Sequence, residues 1–132
     1  MNTQEPTFRY QTQEARVSII KKFKWPYEEW MQDWPLEVSD KIDLVFCLQE
    51  YSKLVDDDEK FLLMEGILYA LDEVRGDDFE RYCQKTIELL KTDFDLHKFT
   101  IYYWTLYRDY PDKHEGFTIT PLMRDVWNSQ QK

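Results

Sequence analysis

The stretch DDDEKFLLMEGILYALDEVRG (Asp56–Gly76) decides the fold class. Asp56 and Asp57 open it, and Glu59 stands three residues after Asp56, the spacing of a capping box. Leu63, Met64, Ile67, Leu68, Ala70, Leu71 and Val74 then recur with the 3.6-residue period of a helix and form a wide apolar arc. Arg75 suits the negative C-terminal end of the helix dipole, and Gly76 can adopt the left-handed conformation that stops a helix. Start signal, period and stop signal agree, so the segment is read as a helix.

Downstream the pattern repeats. Asp77, with Glu80 at the third position, opens a helix whose stripe is Phe79, Tyr82, Cys83, Thr86, Ile87 and Leu90. Glu80, Arg81, Gln84, Lys85, Glu88 and Lys91 face away, as on a surface helix. A further pattern follows Thr92–Asp95 and runs to Tyr110, closed by Pro111. Leu96, Phe99, Tyr103, Leu106, Tyr107 and Tyr110 fall on one side of it. Residues 99–107 are also rich in aromatic and β-branched types, so a strand competes there; the length of the stripe favours a helix. Thr120–Pro121 is a good N-cap and N1 pair for a last short helix carrying Leu122, Met123, Val126 and Trp127.

Upstream, Ser39 to Val55 reads as one long helix begun by Ser39, with Leu44, Val45, Cys47, Leu48, Tyr51, Leu54 and Val55 inward. Pro26 to Trp34 reads as a two-turn helix with a stripe of Tyr27, Trp30, Met31 and Trp34, ended by Pro35. Residues 15–24 suit a helix or a strand, with helix favoured. The expected architecture is all-α: an irregular bundle or stacked α-hairpins of four to five main helices plus short terminal helices. Residues 1–14 are expected as a polar N-terminal arm and 15–132 as a single helical domain, a size that supports one core.

Of 132 residues only three are glycine, at 66, 76 and 116, which leaves no phosphate-binding loop, dinucleotide fingerprint or nucleophile elbow. No zinc-protease, paired-cysteine or EF-hand spacing occurs. The two histidines are His97 and His114; Asp93 and His97 stand one helical turn apart but lack a third ligand. Cys47 and Cys83 lie on apolar faces, away from the basic setting that makes a reactive thiolate. No cofactor, metal site or catalytic residue is therefore expected. The polar start and the lack of a long apolar run imply a cytoplasmic protein without a membrane segment.

The acids outnumber the bases 26 to 17, a net charge of −9. Residues 35–110 carry the whole excess, while the flanks balance. Arg16, Lys21, Lys22, Lys24 and Trp25 are the only foothold for nucleic acid, and the anionic remainder opposes that partner. Such a field favours a basic protein partner. Off the expected core stripes lie His97, Ile101, Trp104 and Arg108 on one helix, and Leu62, Tyr69, Asp72 and Glu73 on another. Aromatic and aliphatic groups rimmed by charge have the composition of a protein interface. The leading expectation is a non-enzymatic acidic module that binds through these eight residues, an inhibitor or immunity-type protein that neutralises a basic partner. The alternative is an enzyme or small-ligand protein with an interhelical pocket of Tyr, His and carboxylate groups. A homodimer would use the same aromatics.

Overall fold

The computed structural model describes residues 5–111 and 116–130, and His114 lies outside them. The described chain is all-α with no strand: α1 (Gln13–Phe23), α2 (Leu44–Glu50), α3 (Asp57–Glu73), α4 (Asp77–Thr92), α5 (Phe94–Thr105) and α6 (Thr120–Ser129). Short 3-10 turns occupy Leu36–Lys41 and Tyr51–Lys53. Two compact units emerge, one of residues 10–83 and one combining the N-terminal segment with residues 84–132; the division falls within α4.

In the first unit α3 is the central element. Asp56 accepts a hydrogen bond from the Glu59 amide at 3.0 Å, and the guanidinium of Arg75 donates to the carbonyls of Asp72 and Val74. Gly76 is left-handed at φ +88°, as its type permits, but α3 has already ended at Glu73 with Val74 extended (ψ 140°), so Gly76 turns the chain into α4 and does not itself stop α3. The apolar arc is wider than the seven expected positions. Phe61 and Leu62 are sealed as well, so α3 is buried around most of its circumference. A helix in that setting is held by its surroundings on most of its faces, each sealed Leu, Ile or Phe contributing roughly 1.5–3 kcal/mol.

The region 15–24, ambiguous in sequence, is helical. Thr12 caps α1 by accepting from the Ala15 amide, and Lys24 ends it with φ 59° while its N–H meets the Ile20 carbonyl. That left-handed residue turns the chain so that Trp25 follows at only 2% exposure. The tip of its indole reaches α3 where Gly66 leaves room. A Cβ at position 66 would sit 2.2 Å from the tip of the Trp25 ring. Around the indole gather Trp34, with ring centroids 5.8 Å apart, and Phe23 at 6.1 Å.

Two upstream expectations are corrected. Residues 26–34 form turns, not a helix. The expected stripe is split: Trp34 is buried, its indole donating to the Pro26 carbonyl at 2.7 Å, while Trp30 faces outward. The eight residues between Pro26 and Pro35 have too few hydrogen bonds to sustain a helix, and ring packing on Trp25 and Tyr27 holds the segment instead. The single helix expected from Ser39 to Val55 is broken. Ile42 is extended (ψ 125°), and Asp43 caps a fresh start by accepting from the Phe46 amide at 3.1 Å. Ser39 does not cap; its hydroxyl donates to the Glu73 carboxylate of α3 at 2.8 Å.

α4 carries the expected stripe, with Cys83, Thr86 and Leu90 buried and the six predicted outer residues exposed. In the other unit α5 and α6 pack as a pair, Tyr102 and Trp127 at 5.1 Å between ring centroids. α5 is a helix through residues 99–105, yet it stops at Thr105 instead of Tyr110. Leu106 turns left-handed (φ 61°), and Arg124 of α6 donates to the freed Thr105 carbonyl at 2.8 Å and the Tyr110 carbonyl at 3.0 Å. Thr120 is the first residue of α6, not its cap, and its hydroxyl accepts from the Phe117 amide at 3.0 Å.

Gly66→Ala tests the seat of the indole. Helix propensity alone would favour Ala by about 1 kcal/mol. Displacing Trp25 costs about 1–3 kcal/mol, and with a 2.2 Å approach to a ring boxed in by aromatics the clash should win. The variant is expected to unfold at lower denaturant concentration, while Gly76→Ser leaves the tryptophan fluorescence of the folded state unchanged.

Candidate functional site

The eight residues expected at an interface separate into two groups. Leu62, His97, Ile101 and Trp104 are interior, at 0, 0, 0 and 3% exposure. On α5 the two faces are exchanged relative to expectation: Tyr103, assigned inward, is 50% exposed, and Tyr110 beyond the helix end is 47% exposed. Both sides of α5 are apolar, so the period located the helix and left its orientation undecided. Trp104 instead packs edge-on against Phe117 at 4.7 Å. The accessible remainder is Tyr69 and Asp72, half-buried, with Glu73 and Arg108, exposed. Tyr69, Asp72 and Glu73 belong to one unit and Arg108 to the other.

Asp72 and Glu73 have a local setting that the sequence did not disclose. Glu73 holds the Ser39 hydroxyl with both carboxylate oxygens, at 2.8 and 3.0 Å. That contact ties the turn Leu36–Lys41 to the last turn of α3 and brings the end of α3 beside residues 26–40. This segment holds five acids and no base: Glu28, Glu29, Asp33, Glu37 and Asp40, all exposed. In the same segment Trp30 is 65% exposed and Leu36 is 47% exposed.

The segment is built to keep its shape. Gln11 donates to the Trp34 carbonyl at 3.1 Å, the Met31 amide reaches the Glu28 carbonyl, and Glu37 accepts from the Asp33 amide at 3.0 Å. Tyr27 is clamped between Trp34, at 5.5 Å and nearly perpendicular, and the Arg16 guanidinium, 5.2 Å from its ring centre. The rings that turn inward therefore fix the backbone that turns Trp30 outward. Sequence reasoning missed Trp30 because helical spacing grouped it with Trp34. The signal available was its setting, a Trp among carboxylates between two prolines.

The basic foothold considered for nucleic acid is largely occupied. Arg16 lies over Tyr27, Lys22 pairs with Glu59 at 2.6 Å, and Trp25 is interior. Among the described residues no group of three or more His, Cys, Asp or Glu is placed to hold a metal ion. No helix among them is long and apolar enough to cross a membrane.

Cys47 and Cys83 are free and buried. Burial, reinforced by the charge of Asp43, pushes the Cys47 thiol up to about 12. Burial and then Glu80 raise Cys83. Neither is a thiolate at neutral pH, which removes the activated sulfur that nucleophilic catalysis needs. Glu65 of α3 is the other displaced group. Its Oε1 is buried without a hydrogen-bond partner among the described residues, and burial lifts its carboxyl from 4.5 to about 7.

Comparison with known protein families, with curated proteins and with solved structures finds no match for this chain.

Because the folded state holds the Glu65 proton up to about pH 7 and the unfolded chain releases it near 4.5, this group favours folding below the lower value. The contribution is lost as pH rises through the higher one. Glu65→Gln should therefore be more stable than the parent at pH 8, by on the order of 2–3 kcal/mol, and closely similar at pH 4.5. Thermal melts at the two pH values read the difference.

Proposed function

We propose that the chain is a non-enzymatic protein-binding module that docks a basic protein partner on the acidic surface of residues 26–40. The end of α3 extends this surface through Asp72 and Glu73. The observation that carries this reading is Trp30: a large ring held 65% exposed by a segment whose other rings are locked inside. An exposed Trp on a preorganised backbone loses little freedom on binding and fills a pocket with a large apolar area. The five carboxylates around it supply long-range attraction for a basic surface and raise the encounter rate. Of the eight interface residues expected from sequence, this reading keeps Asp72 and Glu73 as part of the rim. An inhibitor or immunity-type protein, which covers a basic enzyme by this combination, is the kind of activity it describes.

The test separates anchor from field. Basic proteins retained by the immobilised chain at low salt should be lost with Trp30→Ala, with affinity falling about thirtyfold for a hot-spot residue. Glu28→Lys/Glu29→Lys should slow association and flatten its salt dependence. Asp57→Lys/Asp58→Lys, on the first turn of α3 away from residues 26–40 in sequence, should change association less. Retention that survives both the Trp30 and the Glu28/Glu29 variants would remove this surface as the docking site.

A further inference from the structure

We infer that the unit of residues 5–9 and 84–130 holds a binding site for a small organic ammonium group. The site is a cleft of about 310 Å³ between the N-terminal segment and α5, walled by Phe8, Phe99, Tyr102 and Tyr103 and lined also by Glu5, Arg108 and Asp109. Its volume is at the lower end of the range of small-ligand sites. Phe8 and Phe99 meet edge-to-face at 4.7 Å, yet Phe8 remains 64% exposed and Tyr103 50% exposed. Phe8 and Tyr103 thus line an opening, with Phe99 half-buried and Tyr102 buried behind them at 7% exposure.

The chemistry of the lining selects the occupant. Aromatic faces carry negative quadrupoles, and a group of them with carboxylates nearby is the arrangement that holds alkylated ammonium ions, which shed water readily. Two carboxylates against one guanidinium leave the opening net negative. The Arg108–Glu5 pair is long, 3.7 Å, between side chains 71% and 48% exposed, so solvent screens it and a ligand cation can displace it. Burial first, then Glu5 and Asp109 against Arg108, hold the Tyr102 hydroxyl above the usual tyrosine range, in line with a site that disfavours further negative charge. An anion would meet Glu5 and Asp109, and a neutral apolar group would forgo the attraction of both carboxylates and rings. This cleft stands whether or not Trp30 docks a protein.

Choline and its neutral isostere 3,3-dimethyl-1-butanol, titrated into the full chain and followed by calorimetry or by NMR shifts of the aromatic side chains, test the assignment. Choline should bind saturably and the isostere about tenfold more weakly. Glu5→Gln should weaken choline several-fold, as should Phe99→Leu, with circular dichroism checking the fold of the latter. Arg108→Gln should strengthen it, the reverse of what an anion site would give. A trimethyllysine peptide distinguishes the source of the group: tighter binding than choline assigns a protein side chain, weaker binding a free metabolite. No saturable choline binding at millimolar concentration, equal affinity for the isostere, or weakening by Arg108→Gln would overturn the inference.

Discussion

Much of the unit of residues 10–83 hangs on one approach, the Trp25 indole lying against the backbone of α3 at Gly66. The contact requires a residue without a side chain in mid-helix, where glycine is otherwise unfavourable by about 1 kcal/mol. It also requires the chain to leave α1 sharply, which the left-handed Lys24 provides. Once the indole is seated it becomes the platform for Trp34, and Trp34 in turn pins Pro26 and Tyr27. The course of residues 26–35 follows, and with it the outward display of Trp30.

The negative charge divides by role. Asp43 and Asp56 terminate helices by accepting amide hydrogens, Glu59 pairs with Lys22, and Glu73 holds Ser39. These carboxylates do local structural work. Glu65 is taken into the interior and held close to neutrality by burial. The carboxylates of residues 26–40 are all exposed in a segment that holds no base in sequence, and of these Glu37 also accepts from the Asp33 amide.

Legibility varied with the number of independent local signals. α3 and α4 combine an acidic start with a regular apolar period, and each was readable over nearly its whole length; only the end of α3 falls earlier than its glycine signal, at Glu73. The break at Ile42 was not, because the apolar positions continue through it and the competing cap at Asp43 looks like one more polar residue. The end of α5 was hidden for another reason: Arg124, some twenty residues later, donates to its last carbonyl, that of Thr105. The candidate site suffered most. Its choice rested on which residues were left over from core stripes, and α5 offers two apolar stripes of similar strength. Burial of His97, Ile101 and Trp104 against exposure of Tyr103 reversed that choice.

The amino-acid order by itself determined an all-helical chain, the position of its most regular helices, the scarcity of glycine and the excess of acid. Those properties depend on neighbours within a few turns and on composition, and both are written locally. Only the tertiary structure decided which side of α5 faces inward, which tryptophan is sealed and which displayed, and which carboxylates are bound to partners. These outcomes turn on contacts between residues far apart in sequence, Trp25 with Gly66 and Ser39 with Glu73 among them, where small differences in fit select one arrangement from several that the pattern permits.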